Sequence, residues 1–129
     1  MSNKNQTKKD QARESEGFLL IEYYDAVFAY LYKPLLNLPN NHSEFRKSML
    51  RLILRIPGEI YLAAKLGQIS KVYILDSSLA ELRWHLRFAG KNQEDSKMRL
   101  LTRHQQKTAE DLLSKVGSIV NGWINNKSK

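Results

Sequence analysis

The chain has 129 residues and a mass of 15.0 kDa, the size of one small domain, and it contains no cysteine. Disulfide bonds and cysteine-ligated metal sites are therefore excluded. Lysine and arginine outnumber aspartate and glutamate by 21 to 13, and the formal net charge of +8 favours an anionic partner, either nucleic acid or a membrane surface.

The N-terminal part of the chain divides into a polar tail and an apolar helix. Residues 1–17 are rich in Asn, Gln, Lys and Glu, which predicts a disordered tail. Residues 18–38 carry apolar side chains at three- and four-residue spacings on two adjacent faces, which predicts a first helix. Pro34 is expected to bend this helix or to end it early. An apolar arc this wide is typical of a helix shared with another subunit, so we expect an oligomer.

Neither of these segments resembles a membrane-targeting sequence. The tail lacks the apolar core of a signal peptide. The apolar stretch contains Glu22, Asp25 and Lys33, and such charges make it a poor membrane span. The sequence therefore predicts a cytoplasmic protein that does not act at a membrane.

The second helix is predicted over residues 42–67. Asn41 followed by Glu44 fits a capping box at its start, and Gly67 is expected to end it. The pair Pro57-Gly58 lies in the middle of this segment and should bend the helix.

The third helix is predicted over residues 71–89, with Ser70 as its N-cap and Gly90 as its end. Residues 91–101 are charged and polar, which indicates a loop. Thr102 with Gln105 fits a second capping box and opens the fourth helix.

Together these elements predict an all-α, up-down-up-down four-helix bundle over residues 18–125, followed by a polar tail at 126–129. No stretch alternates with a period of two, so no sheet is expected. The predicted core of the last three helices consists of one apolar stripe on each: Met49, Ile53, Ile56, Ile60 and Ala63; Val72, Leu75, Leu79, Leu82 and Leu86; Ala109, Leu112, Val116, Ile119, Val120 and Trp123.

Residue types that carry out catalysis are sparse. The chain has three histidines, no Glu-x-x-His pair of the kind that holds metals in helical bundles, and no glycine-rich phosphate loop. Glu81 and His85 are four residues apart and could clip a metal, although such a pair is more often a surface salt bridge or hydrogen bond. The sequence predicts no enzyme activity, no metal and no cofactor. An enzyme with a metal bound by Glu81 and His85 is kept as a less favoured alternative.

Positive charge is arranged in rows along the last three predicted helices. Basic residues spaced four apart form three rows: Lys47, Arg51 and Arg55; Arg83, Arg87 and Lys91; Arg99, Arg103 and Lys107. Like charges at this spacing repel by about 0.2–0.5 kcal/mol per pair, and an anionic partner would relieve the repulsion. The alternative is a solvated face whose charges pair with Glu59, Asp76 or Glu81.

Two aromatic residues flank the arginines of the third helix. Trp84 and Phe88 could stack on bases. Aromatic residues at such positions more often belong to a core or an interface, and the sequence leaves both readings open.

Several segments, in order, are similar to a known family. They are Tyr30-Leu31-Tyr32, Ala64-Lys65-x-x-Gln68-x-Ser70-Lys71-x-Tyr73, Leu82-Arg83-x-x-Leu86-Arg87-Phe88, Thr102-x-His104-Gln105 and Val116-Gly117-x-Ile119-x-x-x-Trp123-Ile124. Their order and spacing over residues 18–125 resemble the accessory variability determinant (Avd) proteins of diversity-generating retroelements. That family belongs with the four-helix-bundle proteins of ribosomal RNA intervening sequences.

The resemblance implies a four-helix bundle that assembles into a barrel-like homopentamer with a basic surface. It implies association with the reverse transcriptase of the element and binding of template RNA or cDNA during mutagenic retrohoming. The polymerase chemistry would belong to the reverse transcriptase. The alternative is a stand-alone oligomeric scaffold of the same fold that binds only a protein partner.

The predicted nucleic-acid- and partner-binding residues fall into two groups. Lys65, Lys71, Arg83 and Arg87 match both the family segments and the basic charge. The others rest mainly on charge and spacing: Arg46, Lys47, Arg51, Arg55, Lys91 and Arg103. Contacts of this kind would be made to phosphates, so little sequence preference is expected.

Overall fold

The computed structural model describes residues 4–91 and 100–127, and these residues form helices and their connections without any strand. The elements are α1 (Lys4–Leu36), a 3-10 turn (Asn40–His42), α2 (Ser43–Leu66), α3 (Ile69–Ala89) and α4 (Arg103–Lys127). Each helix packs on the helices before and after it in the chain, and α4 closes the ring against α1. This is the neighbour pattern of an up-down-up-down bundle, so the predicted all-α four-helix fold is confirmed. Its assembly into a barrel stays a prediction.

The core is formed by the predicted stripes, with one shift on α4. Every predicted core residue of α2 and α3 is buried. On α4 the buried stripe contains Leu113, while Leu112 and Ile119 are only partly buried at its edges. Within the described ranges, no helix combines the length and the apolar character of a membrane span.

The first helix is longer than the sequence predicted. It begins at Lys4 and not at residue 18. The predicted start is wrong because Gln, Lys, Ala, Arg and Glu have high helix propensities, so a helix can continue through polar sequence. Near this junction the indole N–H of Trp123 on α4 donates a hydrogen bond to the carboxylate of Glu16. The division of the chain into tails at 1–17 and 126–129 around a bundle stays a prediction.

Helix α2 continues through Pro57 because a tyrosine from α1 satisfies the carbonyl that the proline leaves without a donor. Proline has no N–H, so the carbonyl oxygen of Ile53, four residues earlier, loses its helical partner. The buried hydroxyl of Tyr24 donates a hydrogen bond of 2.5 Å to this oxygen. Burial, together with the negative charges of Glu59 and Asp25, raises the pKa of Tyr24 far above its ordinary value, so the hydroxyl remains a donor.

Three predicted helix ends are confirmed. The Thr102 hydroxyl accepts a hydrogen bond of 3.0 Å from the N–H of Gln105, and the Gln105 side-chain oxygen accepts one of 3.0 Å from the N–H of Thr102. Gly67 ends α2 with a left-handed φ of 66°, which favours glycine. Gly90 follows the last residue of α3. Pro34 lies in the last turn of α1, which ends two residues later at Leu36.

Two predicted N-caps are wrong. Helix α2 is preceded by His42 and α3 by Gln68, and neither residue makes a side-chain capping bond. Asn41 lies inside the 3-10 turn and therefore does not occupy the capping position. Only Gln68 separates Gly67, which ends α2, from Ile69, the first residue of α3. Ser70 therefore lies inside the first turn of α3 and not before it.

Candidate nucleic-acid interface

The arginines of the third predicted helix lie along an open groove between α3 and α4, here called the α3–α4 groove. Arg83 and Arg87 line it together with Trp84 of α3 and Glu110 of α4, and the lining is completed by Ala80 and Ser114. Both arginines are exposed, and neither forms an ion pair with any described residue. The groove therefore presents two guanidinium groups whose charge is not neutralised by the parts of the chain that the structure describes.

A glycine of α4 leaves room for the Arg83 guanidinium. A Cβ atom built on Gly117 would lie 2.6 Å from the Nη2 atom of Arg83. Only a glycine lets the guanidinium rest this close to the α4 backbone. Gly117, Glu110 and Ser114 were not among the predicted site residues. A signal was present, since Arg103, Glu110 and Gly117 are seven residues apart and so share one helical face.

The same register brings the basic row of α4 towards that of α3. Gly90 lies against Gln106, since a Cβ atom on this glycine would collide with the Gln106 side chain. The end of α3 therefore lies beside the beginning of α4, which places Lys91 and Arg103 at one end of the α3–α4 groove. Both side chains are exposed. Arg99, the first residue of the predicted α4 row, lies outside the described residues.

An aromatic cluster of Phe45, Trp84, His85 and Phe88 lies beside the basic residues. The Trp84 ring is stacked on Phe88, with centroids 5.4 Å apart and an angle of 11° between the planes. His85 meets the Trp84 ring edge-on at 5.2 Å. From α2, Phe45 contacts Phe88 at 5.5 Å and His85 at 5.8 Å. Trp84, Phe88 and Lys91 also line a second shallow groove with Arg87.

Arg55 is turned towards the protein itself. Its Nη2 atom lies 2.8 Å from Oε2 of Glu81 and 3.3 Å from the Ser78 hydroxyl, which links α2 to α3. Its Nε atom lies 3.8 Å from Oε2 of Glu59. The same Glu59 oxygen accepts a hydrogen bond of 2.9 Å from Ser78. Arg55 is therefore paired with acidic residues of the protein, as the alternative interpretation of the α2 row predicted. These carboxylates partly neutralise its charge, so it is less available to an anionic ligand.

The other basic residues predicted on α2 differ in their surroundings. Arg46 is partly buried and donates a hydrogen bond of 2.8 Å to the carbonyl oxygen of Leu38, which ties α2 to the beginning of the α1–α2 connection. Lys47 and Arg51 are exposed and form no ion pair with a described residue. Of the α2 set, these last two remain available to an anion.

Lys65 and Lys71 lie at the opposite end of the bundle from Arg87. Along α3, the 16 residues between positions 71 and 87 span about 24 Å. Lys65 borders an apolar pocket lined by Gly17 and Phe18 of α1 and by Tyr61 and other residues of α2. The structure therefore does not place Lys65 and Lys71 at the α3–α4 groove. These two lysines match the family segments, as Arg83 and Arg87 do, but they lie apart from the two arginines.

The Glu81–His85 pair is not arranged as a pair of metal ligands. The Nδ1 atom of His85 lies 2.7 Å from the main-chain carbonyl oxygen of Glu81, and the Glu81 carboxylate binds Arg55. Among the described residues, no group of three or more His, Cys, Asp or Glu residues is placed to hold a metal ion. That the protein is not an enzyme stays a prediction.

Comparison with known proteins agrees with the fold and with the segments quoted from the sequence. A family model described as bAvd-like matches residues 18–127, which include all four core-forming helical segments and every predicted binding residue. No curated protein matches the chain. The chain therefore belongs to the bAvd-like family, which confirms the resemblance to the accessory variability determinant proteins of diversity-generating retroelements.

Proposed function

We propose that this chain is a non-enzymatic accessory subunit of a diversity-generating retroelement. In this role it binds template RNA or cDNA through its basic helix faces and associates with the reverse transcriptase during mutagenic retrohoming in the cytoplasm. The observation that carries the proposal is the α3–α4 groove, in which Arg83 and Arg87 are exposed and form no ion pair with the described residues. Membership of the bAvd-like family supports the retroelement context.

The chemistry of the groove favours phosphate over base edges. A guanidinium group forms two parallel hydrogen bonds to a phosphate, and it stays charged at any physiological pH. Lys47, Arg51, Lys91 and Arg103 are further exposed basic residues outside the α3–α4 groove, and several separate cations suit a long polyanion better than a single anion. Such contacts position a nucleic acid without reading its sequence, so we expect similar affinities for different sequences at a given salt concentration.

The proposal includes a homo-oligomer, with five subunits as the family resemblance implies. Apolar side chains remain exposed on three helices of the single chain, which supports burial against other subunits: Phe18, Leu19, Leu54, Tyr61, Leu62, Leu66, Tyr73 and Ile74. Phe18 and Tyr61 of this set line one pocket, and contiguous exposed apolar surface is typical of interaction sites. Light scattering coupled to gel filtration measures the subunit number, and a monomer at micromolar concentration would refute this part of the proposal.

The phosphate-contact part is tested by charge reversal. Replacing Arg83 and Arg87 by Glu should abolish RNA binding in a fluorescence anisotropy titration while the helical circular dichroism signal is retained. For the wild-type oligomer, log affinity should fall against log salt with a slope of about −4 or steeper. A matched control replaces Lys33 of α1 and Lys115 of α4 by Glu. It changes the net charge equally, and the Lys115 ammonium lies over the ring of Tyr23 on α1 and not in the α3–α4 groove.

The outcomes separate the two leading hypotheses. Loss of binding in the Arg83 and Arg87 variant, with retention in the control, supports the groove as the nucleic-acid site. Equal loss in both variants means that net charge alone determines binding. A wild-type protein that recovers the reverse transcriptase in a pull-down but binds no nucleic acid would instead support the scaffold that has only a protein partner.

A further inference from the structure

Trp84 is exposed among the basic residues Arg83, Arg87 and Lys91. Its exposed fraction is 51%, although tryptophan is a large apolar residue that is usually mostly covered. It lies next to Arg83 in sequence, one helical turn from Arg87, and it lines both grooves on this side of the bundle. Its position therefore combines an apolar ring with flanking cations.

The indole ring is held in place by other aromatic rings. One face is stacked on Phe88 at 5.4 Å, and His85 meets it edge-on. Phe45 on α2 contacts both of these supporting residues, so the ring is anchored to two helices. A ligand that contacts a ring fixed in this way orders few additional bonds, which lowers the entropic cost of binding.

We propose that Trp84 is a stacking platform for an unpaired base, and that the α3–α4 groove takes single-stranded nucleic acid in preference to duplex. This inference rests on the proposed function, because it assumes that Arg83 and Arg87 bind the phosphates. Aromatic side chains set within a positively charged groove are the usual way in which proteins hold single strands. In a duplex the bases are already stacked inside the helix, so the indole adds nothing to phosphate contacts.

The charges around the ring favour a nucleic acid over a protein partner at this position. Arg83, Arg87 and Lys91 surround Trp84, whereas Glu110 is the one acid among the described residues that line the two grooves. The Glu110 carboxylate accepts a hydrogen bond of 3.2 Å from the side chain of Gln106 on its own helix. A polyanion therefore matches the sign of the surface, and the unpaired bases of a single strand match its apolar centre.

The test compares binding of a labelled single strand with binding of a duplex of the same length, at one salt concentration. Trp84→Ala should lower the affinity for the single strand by about 5- to 150-fold, the range expected for loss of one stacked base. Affinity for the duplex should change by less than about twofold, and the salt slope should be unchanged because the phosphate contacts remain. Trp84→Phe should retain most of the single-strand affinity.

Tyr32→Ala is the matched control. Tyr32 is 42% exposed and is stacked on Phe28 four residues earlier, at 5.2 Å, so it reproduces the stacked aromatic pair on α1 away from the basic rows. Its replacement should leave both affinities unchanged. The second readout is fluorescence, since Trp84 is exposed and Trp123 is 2% exposed. The single strand should quench the wild-type emission, and Trp84→Phe should abolish the quenching.

Each outcome bears on a different claim. Equal weakening of single-strand and duplex binding by Trp84→Ala would overturn the stacking platform while leaving the phosphate site intact. Unchanged binding together with a smaller oligomer would also overturn it, because Trp84 would then belong to a subunit interface. A wild-type protein that binds neither single strand nor duplex would refute the proposed function itself.

Discussion

The hydrogen bond between Tyr24 and the carbonyl of Ile53 makes a quantitative prediction about stability. Tyr24→Phe removes only the hydroxyl and leaves the Ile53 carbonyl oxygen buried without a donor, because Pro57 has no N–H. An unsatisfied buried carbonyl costs about 1–3 kcal/mol, so the free energy of unfolding should fall by that amount. Urea denaturation followed by circular dichroism measures it, and the melting temperature should fall by about 3–6 °C per kcal/mol.

The proline provides the control for this prediction. In Pro57→Ala the alanine N–H can bond the Ile53 carbonyl, so the oxygen no longer depends on Tyr24. Tyr24→Phe should then cost less than about 1 kcal/mol, and the double-mutant cycle should show a coupling energy of about 1 kcal/mol or more. Additive effects of the two substitutions would refute the compensation between Tyr24 and Pro57.

The same tyrosine predicts how stability changes in alkaline solution. In the unfolded chain Tyr24 ionises near its ordinary pKa of about 10, whereas in the folded chain burial and nearby carboxylates raise the pKa and keep it protonated. Its stabilising contribution is therefore complete below about pH 10 and is lost as the pH rises, by about 1.4 kcal/mol per pH unit. The Tyr24→Phe variant should show a correspondingly shallower loss over this range.

Three further predictions concern the basic surface. Gly117→Ala should displace the Arg83 guanidinium and lower RNA affinity by about 2- to 10-fold. Thermal stability should not fall, because alanine is a better helix former than glycine. An unchanged RNA affinity would contradict this prediction. Glu110→Gln should raise RNA affinity, because it removes the acid from the α3–α4 groove, and a decrease in titrations would show that the carboxylate assists binding. Arg55→Ala should lower the free energy of unfolding by about 1–2 kcal/mol, because it leaves the mostly buried Glu59 without its cation, and should change RNA affinity by less than about twofold. A large loss of RNA affinity without a loss of stability would show instead that Arg55 contacts the nucleic acid.

The sequence predicted those features that depend on local periodicity. The apolar stripes of α2 and α3 follow directly from helical spacing, and the capping box of Thr102 with Gln105 involves residues only three apart. Serine is a favoured N-cap residue, but Ser70 does not cap α3, because the helix already begins at Ile69. A capping residue type is therefore not sufficient evidence for a helix start, and α2 and α3 both begin without a side-chain cap.

The parts of the site that the sequence missed depend on contacts between distant segments. Arg55 and Arg83 look alike in the sequence, as members of rows with four-residue spacing. Their difference appears only when Glu81 of α3 is placed beside Arg55 of α2, 26 residues away. The approach of Arg83 to Gly117 likewise requires the register of α3 against α4. Spacing finds the basic faces, and packing decides which of their charges remain available.

Because Tyr24 compensates for Pro57, the stability of the intermediate protein in evolution depends on which of the two residues is replaced first. A lineage that first replaces Pro57 regains a helical donor for Ile53, after which Tyr24 can change to phenylalanine at little cost. A lineage that first loses the tyrosine hydroxyl must pass through a destabilised protein in which the Ile53 carbonyl has no partner. Relatives that have phenylalanine at the position of Tyr24 should therefore seldom retain the proline.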